Sequence, residues 1–393
     1  PFSPEICNLQ PRETALKTFL ASELKCTRVN KRFKLFSSLR SPHEQALQRA
    51  RSWIEYVLGC EPDLARIWSH CDFGPGASIG VHGNATNQAR KLLASEWTVS
   101  PSAFYYARAC SKTDIHIREL LTKRPESQFY SFDNESFNMA FDKKVRIVDN
   151  NIINFVPKTV KTERTIAVEP LLNGYIQKGI DVEMRNRLKR VGIDLNDQTK
   201  NQRMAREGSV LSQDDPYATI DLSSASDSIS IELCRYLLPE GWFRLLDETR
   251  SKSYSIDGVL RPYQKFTTMG NGFCFPLETL IFASLCNTAC LEMDNPTDFT
   301  VYGDDIIVRS SVAARVLELL RVCGFKANAS KTFVKGPFRE SCGADWFEGK
   351  DVRPISLDYS FDTIENIFKF CNLCRTKDAW LCIFDECLQF LRT

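Results

Sequence analysis

The stretch "FTVYGDDIIVRS", Phe299 to Ser310, sets two adjacent carboxylates, Asp304 and Asp305, between two short apolar runs. Thr300 to Tyr302 and Ile306 to Val308 are β-branched and aromatic. Gly-Asp between such runs predicts a two-residue hairpin turn, with Gly303 supplying the positive φ. Both acids then sit at a hairpin tip, where two like charges repel each other. A tip can simply be solvated, so the tripeptide alone does not decide what the pair is for.

At 393 residues, 43% of them hydrophobic, the chain is long enough to bury a large core and more than one subdomain. No apolar run approaches the ~18 to 20 residues of a membrane span, and "PFSPEICNLQPRETALK" lacks the apolar centre of a signal peptide, so a cytosolic protein is expected. The 15 cysteines are scattered through apolar segments such as "SLCNTACLEM", where Cys serves as a small buried apolar residue; a reducing compartment fits. The chain starts at Pro1 rather than Met and ends at "LQFLRT" inside an apolar periodic pattern, and is expected to be a fragment of something longer. The net charge of +2 announces no polyanionic partner. Locally, "KCTRVNKRFKLFSSLR", residues 25–40, carries six cations and no acid, which suits either a solvated helix face or nucleic-acid contact.

Periodicity predicts helices over 44–70 and 86–122, joined by the Gly/Pro loop "CDFGPGASIGVHG", and strands over 145–170. "PLLNGYIQKGIDVEMRNRLKRVG" is again helical, with Gly192 just past its end. Strands and helices are mixed without βαβ regularity, which predicts an α+β fold.

Three segments bear on the acidic hairpin. In "YATIDLSSASDSISIELCRYLLP", Ala218 to Leu222 alternates as a strand does and Asp221 falls near its end. Ser224 and Asp227 have capping-box spacing ahead of a helix that Pro239 stops. A cap or N-terminal role accounts for Asp221 in one reading. In the other, a strand-end carboxylate beside an acidic hairpin serves two Mg²⁺ roughly 3.5 to 4 Å apart, hard cations that suit oxygen ligands.

In "FTTMGNGFCFPLETLIFASLCNTACLEM", Gly270 and Gly272 flank Asn271 in a turn before a long apolar helix with Pro276 in its first turn. Such a loop brings backbone close to a ligand and aims an amide at a sugar hydroxyl, although a Gly turn before a buried helix is common. In "NFVPKTVKTERTIAVEP", Lys158, Lys161 and Arg164 recur every third residue on an extended segment. Cations aimed at one place suit a triphosphate; a solvated edge strand protected by Lys is the alternative.

The order of these segments, completed by "KTF" and "FRESCG", resembles the catalytic (beta) replicase subunit of the small single-stranded RNA bacteriophages. The segments match polymerase motifs F, A, B, C, D and E in the family order, almost continuously from Phe155 to Pro354, and "GIDLNDQTKNQRMAREGS" and "DFGPGAS" add to the likeness. The resemblance implies a right-hand fold with an antiparallel palm sheet carrying the acids. Residues 1–215 would form the N-terminal region and fingers, 216–335 the palm, and 336–393 motif E and the start of a truncated thumb.

It further implies an RNA-directed RNA polymerase that replicates a viral RNA genome in the cytoplasm of an infected bacterium. Asp221, Asp304 and Asp305 would be ligands of two Mg²⁺, with Mn²⁺ or Ca²⁺ able to substitute in binding. Lys158, Lys161 and Arg164 would contact the incoming nucleoside triphosphate, Asp227 and Asn271 its ribose, and Lys331 would protonate the leaving pyrophosphate. RNA template and product are the implied partners, with host elongation factors Tu and Ts and a ribosomal protein.

The family's chain runs well beyond motif E, which puts the activity of this chain by itself in question. Cys371, Cys374, Cys382 and Cys387 allow a zinc site, but an apolar Cys-rich helix accounts for them better. Two rivals remain: a reverse transcriptase, which shares the acidic hairpin, and a catalytically dead RNA-binding protein of the same fold.

Overall fold

The computed structural model describes residues 10–36, 42–83, 87–122, 134–159, 162–212, 214–354, 360 and 362–375. Among the described residues the strands in chain order are β1 (Ser78–Ile79), β2 (Trp97–Val99), β3 (Val145–Ile147), β4 (Asn151–Thr159), β5 (Thr162–Pro170) and β6 (Tyr217–Ile220). They continue with β7 (Ser253–Ile256), β8 (Val259–Pro262), β9 (Phe299–Tyr302), β10 (Asp305–Arg309), β11 (Phe338–Ser341), β12 (Ala344–Phe347) and β13 (Lys350–Asp351). Separate sheets in the orders β1-β5-β4-β7-β8, β6-β10-β9 and β11-β12-β13, with helices packed against them, make the fold α+β as expected.

The run Ile306 to Val308 is apolar throughout because β10 is the central strand of its sheet and is covered on both faces. Ile306 and Val308 point into the main core, while Ile307 packs with Met204, Ala205 and Tyr217 on the opposite side. The main core is built around the helix Cys274–Glu292, which touches the helices Glu44–Leu58, Leu171–Arg190 and Ser310–Cys323 as well as β9. This helix is long and apolar enough to cross a membrane by length and composition, contrary to the sequence reading, but 83% of its apolar window is buried inside the protein. A helix apolar all round is what the centre of a large core requires.

Three other local expectations are corrected. The predicted helix over 86–122 is broken into Gln88–Leu92, Phe104–Ser111 and Ile115–Thr122, with strand β2 between the first two. Trp97–Val99, β-branched in part and fully buried, pairs in parallel with Val145–Ile147, a partner that local periodicity does not reveal. The predicted helix over 44–70 likewise splits at Gly59, which takes φ +70°, into Glu44–Leu58 and Leu64–Trp68. The basic segment 154–170 is a hairpin rather than a single extended run, with Val156 opposite Arg164 and Thr159 opposite Thr162.

The residues 25–34 of the basic stretch lie on the helix Pro11–Lys34, partly turned inward: Lys25 donates to the Ser228 hydroxyl at 3.5 Å and Arg32 to the Val322 carbonyl. Residues 37–40 lie outside the described residues. Cys371 and Cys374 are buried on the helix Ile364–Cys374, whereas Cys382 and Cys387 lie outside the described residues.

Candidate active site

The antiparallel register between β10 and β6 pairs Ile306 with Ile220 and Val308 with Ala218. One step further along the same register, Asp305 stands level with Asp221. Tyr302 pairs with Asp305 on the other side, leaving Gly303 and Asp304 as the two-residue turn expected from the sequence. Gly303 takes φ +62°, its N–H donates to the Thr279 hydroxyl at 3.0 Å, and a Cβ there would meet the Phe275 ring at 2.3 Å. The tip is therefore packed beneath the helix Cys274–Glu292 rather than waving in solvent.

Asp221 and Asp304 line an open cleft of ≈ 590 Å³ together with Lys158, Arg164, Asp227 and Asn271; Lys331 lines it too. Burial pushes the Asp304 carboxyl up to about 6, reinforced by the neighbouring charges of Asp305 and Asp221 and opposed by Lys158. Asp305 is also raised, first by burial, although its Oδ1 accepts from the Ser341 hydroxyl at 3.2 Å. Asp221 is held by its neighbour in space Asn328, which donates its amide to Asp221 Oδ2 at 2.9 Å and its backbone N–H to the Asp221 carbonyl at 2.9 Å. Among the described residues no group of three His, Cys, Asp or Glu side chains stands ready-spaced for an ion. Side-chain hydrogen bonds from Asn328 and Ser341 hold Asp221 and Asp305 in place, while the charges of Asp221 and Asp305 still bear on Asp304.

Across the cleft, Lys158 and Arg164 sit on opposite strands of the β4–β5 hairpin. The register shifts between Pro157 and Thr159, so Lys158 occupies a bulge, a device that re-aims a side chain. Lys161 lies outside the described residues. Asn271 is buried in the Gly turn, its Oδ1 accepting from Phe273 N at 3.1 Å while its Nδ2 has no hydrogen-bond partner among the described residues. A buried donor left over beside a cleft is costly unless a ligand satisfies it. Lys331 donates to Glu340 at 2.6 Å, and that hydrogen bond raises its ammonium above the ordinary lysine range. Such a lysine stays charged at neutral pH, as a proton donor must.

The capping box read at Ser224 and Asp227 does not form. Ser224 takes φ +53°, Ser226–Ser228 is a short 3₁₀ turn, and the helix begins only at Ile231, ending at Leu237 before Pro239. Asp227 is drawn instead to Lys265, whose Nζ donates to its Oδ1 at 2.7 Å.

Sequence reasoning missed four residues around this cleft. Lys265 and Asn328 hold Asp227 and Asp221, and their distance along the chain left no local signal. Glu278, one turn into the core helix, is only 6% exposed and lines the cleft; burial first, then Asp304 and Asp227, pushes its carboxyl well above the usual range. Arg339 is fully buried and donates to the Tyr217 carbonyl at 2.5 Å, tying β11 to β6, the strand that leads into Asp221. A charged residue in an apolar helix was the available hint for Glu278.

Acids on an antiparallel sheet, faced by cations on a hairpin and by an unpaired amide, define a cleft for a ligand rich in phosphate and hydroxyl groups. The family model for RNA replicase, beta-chain, matches residues 1–384, and the chain belongs to that family. It is 39% identical over 355 residues to the RNA-directed RNA polymerase subunit beta of Escherichia virus Qbeta, covering 87% of this chain and 54% of that one. The corresponding chain of Enterobacteria phage fr is 39% identical over 351 residues, covering 88% and 60%, and that of Escherichia phage MS2 39% over 314 residues, covering 80% and 54%. The chain thus spans little more than half the length of these relatives. Among solved structures, the RNA-dependent RNA polymerase of a human picorbirnavirus aligns with a TM-score of 0.45 at 14% identity, over 76% of this chain and 71% of that one.

Proposed function

We propose that this chain is the catalytic part of an RNA-directed RNA polymerase of an RNA bacteriophage, adding nucleotides from NTPs to an RNA 3′-hydroxyl with release of pyrophosphate. The observation that carries the reading is the register that sets Asp305 level with Asp221, with Asp304 in the adjoining β9–β10 turn, so that Asp221 and Asp304 line a cleft shared with Lys158 and Arg164. In this reading 1–215 corresponds to the N-terminal region and fingers, 216–335 to the palm and 336–393 to motif E and the start of a truncated thumb. RNA template and product, and host factors such as elongation factors Tu and Ts and a ribosomal protein, are the proposed partners, in the cytoplasm of the infected cell.

The donor set fits hard divalent cations: all three acids offer oxygen, and Asp304 and Asp305 are held above the usual carboxylate range by burial and mutual repulsion that a cation would relieve. Two Mg²⁺ held by Asp221, Asp304 and Asp305, or Mn²⁺ or Ca²⁺ in binding alone, would supply positive charge at the attacking hydroxyl and the leaving pyrophosphate. Lys158 and Arg164, with Lys161, bind and orient the triphosphate. The unpaired Asn271 Nδ2 donates to a ribose hydroxyl and Asp227 accepts from one, which favours ribose over deoxyribose. Lys331 passes its proton to the pyrophosphate oxygen as the phosphoanhydride bond breaks. Positioning and fixed charge supply most of the acceleration.

The test is incorporation of labelled GTP, with dGTP in parallel, on poly(C) with Mg²⁺, in the presence and absence of elongation factors Tu and Ts. Template-dependent incorporation of GTP in preference to dGTP is expected. Incorporation of neither nucleotide in any tube overturns the reading for this chain.

A second expectation concerns stability. The Asp304 carboxyl, ordinarily at 3.8, is raised to about 6 in the folded chain, so the folded form binds its proton more tightly than the unfolded form. Its contribution is fully present below pH 3.8 and is lost as pH rises through 6. In EDTA, Asp304→Asn is therefore expected to melt a few degrees above the wild type at pH 7.5 and to lose that advantage at pH 4. Magnesium should raise the wild-type melting temperature at pH 7.5 and have much less effect on the variant. Equal responses to Mg²⁺ would remove Asp304 from the metal site.

A further inference from the structure

The 3₁₀ turn that carries Asp227 is held from behind by residues distant in sequence. Lys265 is 0% exposed, and its ammonium lies 2.7 Å from Asp227 Oδ1, 3.9 Å from Glu23 Oε1 and 3.5 Å from the centroid of the Phe19 ring. Glu23 and Phe19 both belong to the helix Pro11–Lys34. Glu23 is itself fixed, its Oε2 accepting from Gln264 N at 2.7 Å. The same helix grips the turn at two more points, Cys26 Sγ donating to the Asp227 carbonyl at 3.6 Å and Lys25 to Ser228. Asn30 bridges the segments on either side, donating to the Gln264 carbonyl at 2.8 Å and accepting from Glu232 N at 2.9 Å.

A fully buried ammonium is expensive to desolvate, and it persists here because it faces two carboxylates and an aromatic ring. Its shorter contact goes to Asp227. Among the described residues no donor reaches Asp227 Oδ2, and Asp227 lines the cleft. The lysine thus occupies one oxygen and leaves the other as an acceptor facing the ligand side.

We propose that Lys265, backed by Glu23 and Phe19 of the N-terminal helix, is a positioning residue for sugar selectivity: it holds Asp227 by Oδ1 so that Oδ2 accepts from the 2′-hydroxyl of an incoming ribonucleotide. The inference rests on the polymerase reading and assigns to the helix Pro11–Lys34 a role in substrate choice rather than in RNA contact. A charged hydrogen bond of this kind separates GTP from 2′-deoxy-GTP by about 10-fold in affinity.

The experiment is isothermal titration of the full chain with GTP and with 2′-deoxy-GTP in Mg²⁺, for the wild type, Lys265→Met and Lys265→Gln, with circular dichroism confirming the fold of each. The wild type is expected to bind GTP about 10-fold more tightly. Lys265→Met should bring the two affinities together by weakening GTP alone, and Lys265→Gln, which keeps an N–H for Asp227, should fall between. Equal weakening of both nucleotides, or an undiminished preference, overturns the inference. Should Lys265→Met fail to fold, a wild-type preference in Lys265→Gln overturns it as well. A wild type that binds neither nucleotide fails the polymerase reading itself and takes this inference with it, an outcome distinct from a preference that survives at Lys265→Met.

Discussion

Asp304→Asn is expected to lower template-dependent GTP incorporation by roughly 10³-fold or more while leaving the chain folded. Asn has nearly the shape of Asp, and the turn is set by Gly303 and by the Tyr302–Asp305 pair rather than by the Asp304 carboxyl. What disappears is a negative oxygen on the cleft wall where the proposed metal would sit. Asp304 should be the more sensitive of the adjacent pair, because it lines the cleft while Asp305 shares its Oδ1 with Ser341. Single-turnover incorporation, read beside a thermal melt, checks this. Activity within 10-fold of the wild type would mean that Asp304 is a solvated tip after all.

Gly270→Ala should destabilise the fold by about 3 kcal/mol or more and abolish incorporation. Gly270 takes φ +109°, a backbone conformation that L side chains rarely adopt, and an added Cβ would stand 2.0 Å from the Ala167 carbonyl oxygen. That oxygen belongs to strand backbone, and the adjacent contact, Ala167 N donating to the Met269 carbonyl at 2.7 Å, leaves little room for it to retreat. The clash would lever the Gly turn away from β5 and carry Asn271 with it. Gly272→Ala, where the backbone is ordinary and the nearest atom is the Gln177 Cβ at 2.9 Å, should cost less. Urea denaturation of both variants is the measurement. A midpoint for Gly270→Ala equal to that of the wild type would show that the turn and β5 are not locked together.

The features legible in the sequence were those whose cause is local. Gly303 between two β-branched runs specifies a hairpin because a two-residue turn needs a positive φ at its first position, and the structure has it there. Gly192, at φ +83°, lies just past the helix Leu171–Arg190 as read. The acids and cations of the cleft were legible as residue types at motif spacing. Asp227 was misread because three-residue spacing from Ser224 mimics a cap, whereas its partner lies 38 residues on. The segment Trp97–Val99 was misread for the same reason, its partner strand beginning at Val145.

By itself, the sequence determined the Gly303 turn, the helix that stops at Gly192, and the family, since each depends on dihedral preference or on residue identity in order along the chain. Only the tertiary structure decided which acids share a cleft, which carboxylates are driven up by burial, and what stands behind Asp227. Those depend on desolvation and on Coulomb forces over a few ångströms. Both act on distances in space, which the order of residues along a chain does not contain.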